Sequence, residues 1–406
     1  MKKLLEGIRI ADFSWAAAGP GSTMNLGFTG AEVIKIETSK RPDFLRELAK
    51  AYAWEKGVTM GLDGSQEFND TNLNKLGVTL DLSVPEAVEI AKGIVVVSDI
   101  AINSFRPGTM EKLGLGYEEL RKVRPDLIYV ESSGWGSKGL ESRFASYAPS
   151  FNAQGGLAYL TGYPDMPPTD IRLPIDLMGA AGNAFAMLTA LEYRRRTGRG
   201  QLIDNSSIEV VCTMIGDSIM DYTMNKRVQM RHGNRDSVMA PHGVYRCQGN
   251  DKWVSIAVGA EEEWQALCKA MDQPELARDP RFADMFTRWQ HQDELDAIIA
   301  SWTSPRAPYE VTRLLQGVGV AAFPSMSSED IYKDPHLKAR GFHATVEHKV
   351  LGKQTVMGVP WKFSRTPASV DLPGPLLGEH NERIFHELLG MPKEEIDRLI
   401  EQQAMM

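Results

Sequence analysis

The chain has 406 residues, 43% hydrophobic and 24% charged, an ordinary globular composition long enough for two or more folding units. Its net charge of -8 excludes the broadly basic face of a nucleic-acid binder, while leaving room for a local basic pocket around an anionic ligand. No apolar run approaches the ~20 residues of a membrane helix, the N-terminus lacks the apolar core of a signal peptide, and the three scattered cysteines, Cys212, Cys247 and Cys268, read as reduced thiols of a cytoplasmic protein.

Residues 8–14 read as a strand, followed by a tight loop at Ala16-Ala17-Ala18-Gly19-Pro20-Gly21, a helix at 22–29 and a second strand at 31–37. This is a βαβ unit, whose crossover should be right-handed. Strands at 77–82, 94–103 and 127–132 continue the pattern, with helices near 84–93 and 116–122. The nearly continuous apolar runs suit a parallel sheet covered on both faces, and hence a doubly wound α/β domain. A long helix is expected over 177–195, with small residues Gly179 to Ala184 for close packing and Arg194-Arg195-Arg196 before Gly198 at its end. A strand at 201–206 and a helix at 207–224 follow. Beyond a polar loop near 227–242, short strands and helices suggest a smaller α+β domain. The expected division is a large domain over 1–225, a small one over 226–364, and a segment at 365–406 that returns to the large domain.

The usual catalytic signatures are missing. The eight histidines form no HExxH and no tight ligand cluster. Gly19-Pro20-Gly21 opens a helix after a strand but is not GxGxxG, and Pro20 removes a backbone donor, so the plain reading is a βα turn. Ser132-Ser133-Gly134-Trp135-Gly136 is not a nucleophile elbow; it reads as a glycine-rich turn at the C-terminal edge of the sheet, where α/β folds place ligands.

Asp176 stands out, because it follows Arg172-Leu173-Pro174-Ile175 at the mouth of the long helix. Two readings are open. Aspartate is a good N-cap, favoured by the helix dipole. A carboxylate held ionised there can also attack an activated carbonyl, with glycine backbone donors stabilising the oxyanion.

Several segments carry a resemblance when taken in order. They are Ala18-Gly19-Pro20, Gly30 to Glu37, Asn72-Leu73-Asn74-Lys75 before Leu80-Asp81-Leu82, Ser104-Phe105-Arg106-Pro107-Gly108 with Leu113-Gly114, Pro174-Ile175-Asp176, Arg196 to Gln201, and Leu376 to His380. Together they make the chain similar to the family III CoA-transferases, which include formyl-CoA and carnitine CoA-transferases and the α-methylacyl-CoA racemases. The resemblance implies a Rossmann-like large domain, a smaller α+β domain and an interlocked dimer. It implies that Asp176 forms a mixed anhydride and then an aspartyl-CoA thioester, with a CoA thioester as substrate and no bound cofactor or metal. It places Asn74, Lys75, Phe105, Arg106, Lys112 and Tyr147 at CoA, and Ala17, Trp135 and Tyr147 around the acid.

Departures narrow the chemistry. Thr38, with Lys40 and Arg41 nearby, stands where relatives carry an arginine, and Ala17 stands where formyl-CoA transferase has a glutamine. Met239-Ala240-Pro241-His242-Gly243 replaces that enzyme's glycine loop. Racemases carry Gly-His-Asp where this chain has Ser146-Tyr147-Ala148, so one of two proton-transfer groups is missing and transfer is favoured over racemisation. The chain is similar to one subunit of the succinyl-CoA:(R)-benzylsuccinate CoA-transferases, which implies succinyl-CoA as donor, benzylsuccinate as acceptor and either a homodimer or a heteromer with a homologous subunit. Tyr147, Trp135 and the stretch Met220 to Met239 are candidates for the aromatic pocket, with core packing as the plain alternative. The remaining alternatives are a racemase and a catalytically silent subunit of a heteromer.

Overall fold

The structure is a computed structural model that describes residues 2–50 and 61–405. The chain forms two compact units. One comprises Met1–Leu157, Asp170–Met220 and His336–Met406, the other Ala158–Thr169 and Asp221–Pro335.

The large unit is built on six strands, β1 (Arg9–Asp12), β2 (Glu32–Glu37), β3 (Lys75–Thr79), β4 (Ile100–Asn103), β5 (Ile128–Ser133) and β6 (Gln201–Ser206). They pair in parallel in the order β3-β2-β1-β4-β5-β6. Its main helices are α1 (Ala18–Phe28), α2 (Pro85–Val96), α3 (Tyr117–Val123), α4 (Ala148–Gln154), α5 (Arg172–Thr197) and α6 (Ser207–Met214).

Alternating side chains divide each strand between two cores, as the period of two requires. Ile10, Val33, Ile100, Ile102, Ile128 and Val130 face Leu26 of α1 and Met187 and Ala190 of α5. Ala11, Ile34, Ile36, Val78, Ala101 and Tyr129 face α2, α3 and the C-terminal segment, which contributes Ile384, Phe385, Ile396, Leu399 and Met405. Each such leucine-sized side chain contributes about 1.5–3 kcal/mol by leaving water.

Four boundaries differ from the sequence expectation. The apolar run 94–103 is not one strand: its first residues finish α2, and β4 begins at Ile100. The expected loop at 16–21 is mostly helix, because α1 starts at Ala18. Pro20 is tolerated there because a first-turn N–H has no intrahelical partner to lose. The long helix begins at Arg172, five residues early, and closes where Gly198 turns left-handed at φ +72°. The helix expected over 207–224 breaks into α6 and a second helix, Gly216–Asn225.

The small unit has a three-stranded antiparallel sheet of β7 (His242–Arg246), β8 (Trp253–Ala257) and β9 (Ala321–Pro324). Its core includes Trp264, Leu267, Phe282, Leu295, Ile299 and Val311. The hairpin of β10 (His343–His348) and β11 (Gly352–Met357) belongs to the large unit, so the small unit ends at Pro335 rather than 364, and it also takes up 158–169.

Candidate active site

The strand order reverses between β1 and β4, and a doubly wound sheet opens a crevice beyond the strand ends at such a point. Two loops meet there. The Trp15 N–H donates to Ser104 Oγ at 2.7 Å, and the Trp15 and Phe105 rings stand edge to face at 5.5 Å. Arg41 lies over the Trp15 ring at 5.3 Å. Phe105 is half-buried, whereas Arg106 and Lys112 are exposed and have no ion-pair partner among the described residues. An exposed guanidinium next to an aromatic edge, Arg106 beside Phe105, suits a phosphate-bearing ligand.

Below this crevice lies a cluster of buried charges. Lys75 Nζ donates to Asp12 Oδ2 at 2.9 Å, to Asn72 Oδ1 at 2.9 Å and to the Pro20 carbonyl at 2.8 Å. An ammonium has three donors, so Lys75 has none left for a CoA phosphate, and the expectation that it binds CoA is corrected. Burial drives its pKa down to about 8 against the pull of Asp12. Burial also opposes ionisation of Asp12, but Lys75, Lys35 and the Ser14 and Thr23 hydroxyls outweigh it and hold that carboxylate at about 2. Asn74 is internal too. It donates to the Gly27 and Ser369 carbonyls and accepts from the Asp371 and Leu372 N–H groups, tying the C-terminal segment to the start of β3.

Asp176 is the fifth residue of α5, not its cap; Ile171 occupies the N-cap position. The side chain is half-buried, and among the described residues no hydrogen bond or charge offsets that burial, which pushes its pKa up to about 6. Residues three and four along a helix share a face, so Asp176 lies in line with Gly179 and Ala180. A Cβ on Gly179 would stand 3.4 Å from that of Ala18, and one on Gly21 3.2 Å from that of Ala180. Asp176 therefore sits one turn from the contact with the N-terminus of α1. The Ala17, Ala18 and Gly19 N–H groups there meet no acceptor among the described residues. The Ala17 side chain itself is buried, so its contribution to the site is its backbone.

The aromatic residues divide into wall and surface. Trp135 is half-buried against a cluster of Ala148, Phe151, Ile175, Ile208 and Val211, and its Nε1–H donates to Gln154 Oε1 at 2.7 Å. Tyr147 is the N-cap residue of α4, is 70% exposed, and lies 6.2 Å from the ring of Phe44, itself 49% exposed. Most of the stretch Met220 to Met239 falls in the small unit.

Sequence reasoning missed Phe44, Asp12, Lys35 and Asp43. It also missed Glu131, inside β5, which is pushed up to about 7 by burial and by the neighbouring Glu111 and Asp204 carboxylates. Of these, Asp12 alone stands at a strand end, the one position that could have marked it beforehand. Among the described residues no group of His, Cys, Asp and Glu could hold a metal ion.

Known proteins are similar to this chain in sequence and fold. Residues 5–381 match CoA-transferase family III. The succinyl-CoA–D-citramalate CoA-transferase of Chloroflexus aurantiacus is 35% identical over 97% of this chain and 96% of its own. The beta subunit of a succinyl-CoA–L-malate CoA-transferase from the same organism is 33% identical over the same shares. The succinyl-CoA:mesaconate CoA-transferase of Haloarcula marismortui is 32% identical over 94% of this chain and 96% of its own. A CAIB/BAIF family protein from Brucella suis superposes with a TM-score of 0.85 at 28% identity, over 96% of this chain and 100% of that one. The chain belongs to CoA-transferase family III and is a CoA-transferase.

Proposed function

We propose that the protein moves coenzyme A from succinyl-CoA to a dicarboxylic acid, with Asp176 as the covalent carrier. The Asp176 carboxylate attacks the thioester carbonyl carbon, the carbon–sulfur bond breaks, and its electron pair leaves with CoA as a thiolate. The thiolate then attacks the aspartyl carbonyl of the mixed anhydride, releasing succinate and leaving an aspartyl-CoA thioester. The acceptor carboxylate displaces the thiolate to form a second anhydride. The thiolate attacks the acceptor's acyl carbon, and Asp176 is regenerated with no net gain or loss of protons. The N–H groups at the start of α1 receive the developing oxyanion. Arg106 and Lys112 serve the CoA phosphates, and Phe105 lies along the adenine. One observation carries this reading: a half-buried carboxylate without a hydrogen-bond partner among the described residues, one turn from a helix N-terminus whose first N–H groups meet no acceptor among them.

The acceptor we favour is benzylsuccinate, a succinate bearing an aromatic group. The relatives' named acceptors, citramalate, malate and mesaconate, are dicarboxylates, and Tyr147 and Phe44 offer exposed aromatic surface for the added ring. The relatives include single-chain names and alpha and beta subunits. We assign the exposed apolar stripe Leu177, Ala181, Phe185 and Leu188 of α5 to pairing with an interlocked second subunit, identical or homologous. The three unpaired cysteines suit the cytoplasm.

The test is a screen of succinyl-CoA against benzylsuccinate, malate, citramalate and mesaconate, with and without a homologous subunit, followed by hydroxylamine trapping and peptide mass mapping. Benzylsuccinate should turn over fastest, and a hydroxamate should appear at Asp176. A preference for malate discards the aromatic acceptor. Turnover without modification of Asp176 discards the carrier.

A further inference from the structure

Four buried charges lie beneath the loop that follows β1. Asp12 pairs with Lys75 at 2.9 Å and Lys35 with Asp43 at 3.1 Å, and none of the four side chains is exposed to solvent. Buried ion pairs of this kind add little stability over apolar side chains of similar volume. Their contacts converge on one stretch of backbone. Asp12 accepts from the Ser14 N–H at 2.9 Å and from the Ser14 hydroxyl. Lys35 donates to the Ser14 carbonyl. Asp43 accepts from the Ala16 N–H at 3.2 Å, and Lys75 donates to the Pro20 carbonyl at 2.8 Å. Ala16, in the middle, has φ +62°, which a residue with a Cβ holds only where its surroundings over-determine it. The next three N–H groups, of Ala17, Ala18 and Gly19, are left without an acceptor among the described residues.

We infer that Asp12, Lys35, Asp43 and Lys75 are positioning residues for acyl transfer: they fix the Ser14–Ala18 backbone so that the open N–H groups at the start of α1 meet the oxyanion formed as Asp176 is acylated. This rests on the assignment of Asp176 as carrier. The four charges touch neither substrate nor the reacting atoms. They cancel one another and hold the loop without adding net charge to the site.

The experiment measures single-turnover acylation of Asp176 by succinyl-CoA in wild type, Ala16→Gly and Asp43→Asn. Glycine adopts φ +62° without strain, so Ala16→Gly should melt no lower than wild type. Its freed loop should nonetheless slow acylation on the order of 10-fold, with the half-saturating succinyl-CoA concentration unchanged within about twofold. Asp43→Asn should slow acylation on the order of 10- to 100-fold, again without raising the half-saturating concentration. A purely structural network would lower melting temperatures and leave the acylation rate of folded enzyme alone, so wild-type rates in the folded variants overturn the positioning role while Asp176 stays acylated. Should Asp43→Asn not fold, Ala16→Gly decides. Wild-type turnover with Asp176 unmodified removes the carrier assignment and this inference together.

Discussion

Asp176, the carrier in the mechanism we propose, carries a burial cost. Its folded pKa, about 6, lies above the ordinary 3.8, with burial as the cause. The sign follows: below pH 3.8 both folded and unfolded chains hold the proton and nothing is lost, the cost grows between 3.8 and 6, and above 6 it is fully present. Discounted for partial exposure, it is on the order of 1–3 kcal/mol. Asp176→Asn should therefore melt higher than wild type at pH 8, with the difference closing at pH 4, while turnover falls on the order of 10³-fold. If Asp176 is the carrier we propose, kcat/KM for the donor in wild type should rise with pH through about 6 as its carboxyl ionises. A melting difference that persists at pH 4 would show that burial of the charge is not its source. The sequence marked Asp176 through its neighbours Pro174 and Ile175, yet its place inside the helix was not legible, because the helix start is set by packing against α4 and α6 around Ile175. Lys75 was misread for a related reason. A lysine is almost always exposed unless paired, and its partners Asp12, Asn72 and Pro20 come together only in the fold.

In the mechanism we propose, the contact between α1 and α5 sets the distance from carrier to oxyanion donors. At Gly179 even a bare Cβ reaches 3.4 Å from Ala18, so the further methyls of a valine have nowhere to go without moving a helix. Gly179→Val should lower stability by about 1–3 kcal/mol, and it should slow acylation in the fraction that stays folded. Denaturant midpoints and single-turnover rates measure the two effects, and an unchanged rate would mean that the spacing of these helices is not critical. At this scale the sheet was largely readable, since β1, β2, β5 and β6 announce themselves as short apolar or β-branched runs. Two errors share one cause. The end of α2 and the start of β4 are both fully buried, so apolarity ran across the turn between them without a break. Likewise, Ala-Gly-Pro-Gly has the composition of a loop and the packing of a helix, because α5 demands small residues opposite it. The β9 strand, only four residues long, offered no pattern of its own.

The large unit is closed by its C-terminal segment. His380 Nδ1 accepts from the Gly77 N–H at 3.1 Å across 303 positions of sequence, and Phe385 is fully buried behind β3. Phe385→Ala should cost about 3–5 kcal/mol. Hydrogen exchange should then speed up in β3 and α2 while β7 and β8, which have a separate core, keep their protection. Equal loss in both units would show that they unfold as one. The return of the chain after the small domain was visible in the sequence, but the membership of β10 and β11 was not, because a polar hairpin carries no address. On a ribosome this topology imposes an order of events. The stretch 221–335 is an uninterrupted span with a core of its own and can condense while synthesis continues. The six-stranded sheet must instead wait with one oily face bare until Ile384, Phe385 and Leu399 emerge. The nascent protein thus passes through a long interval of vulnerability to aggregation, and the emergence of the stretch Ile384 to Leu399 decides when it ends.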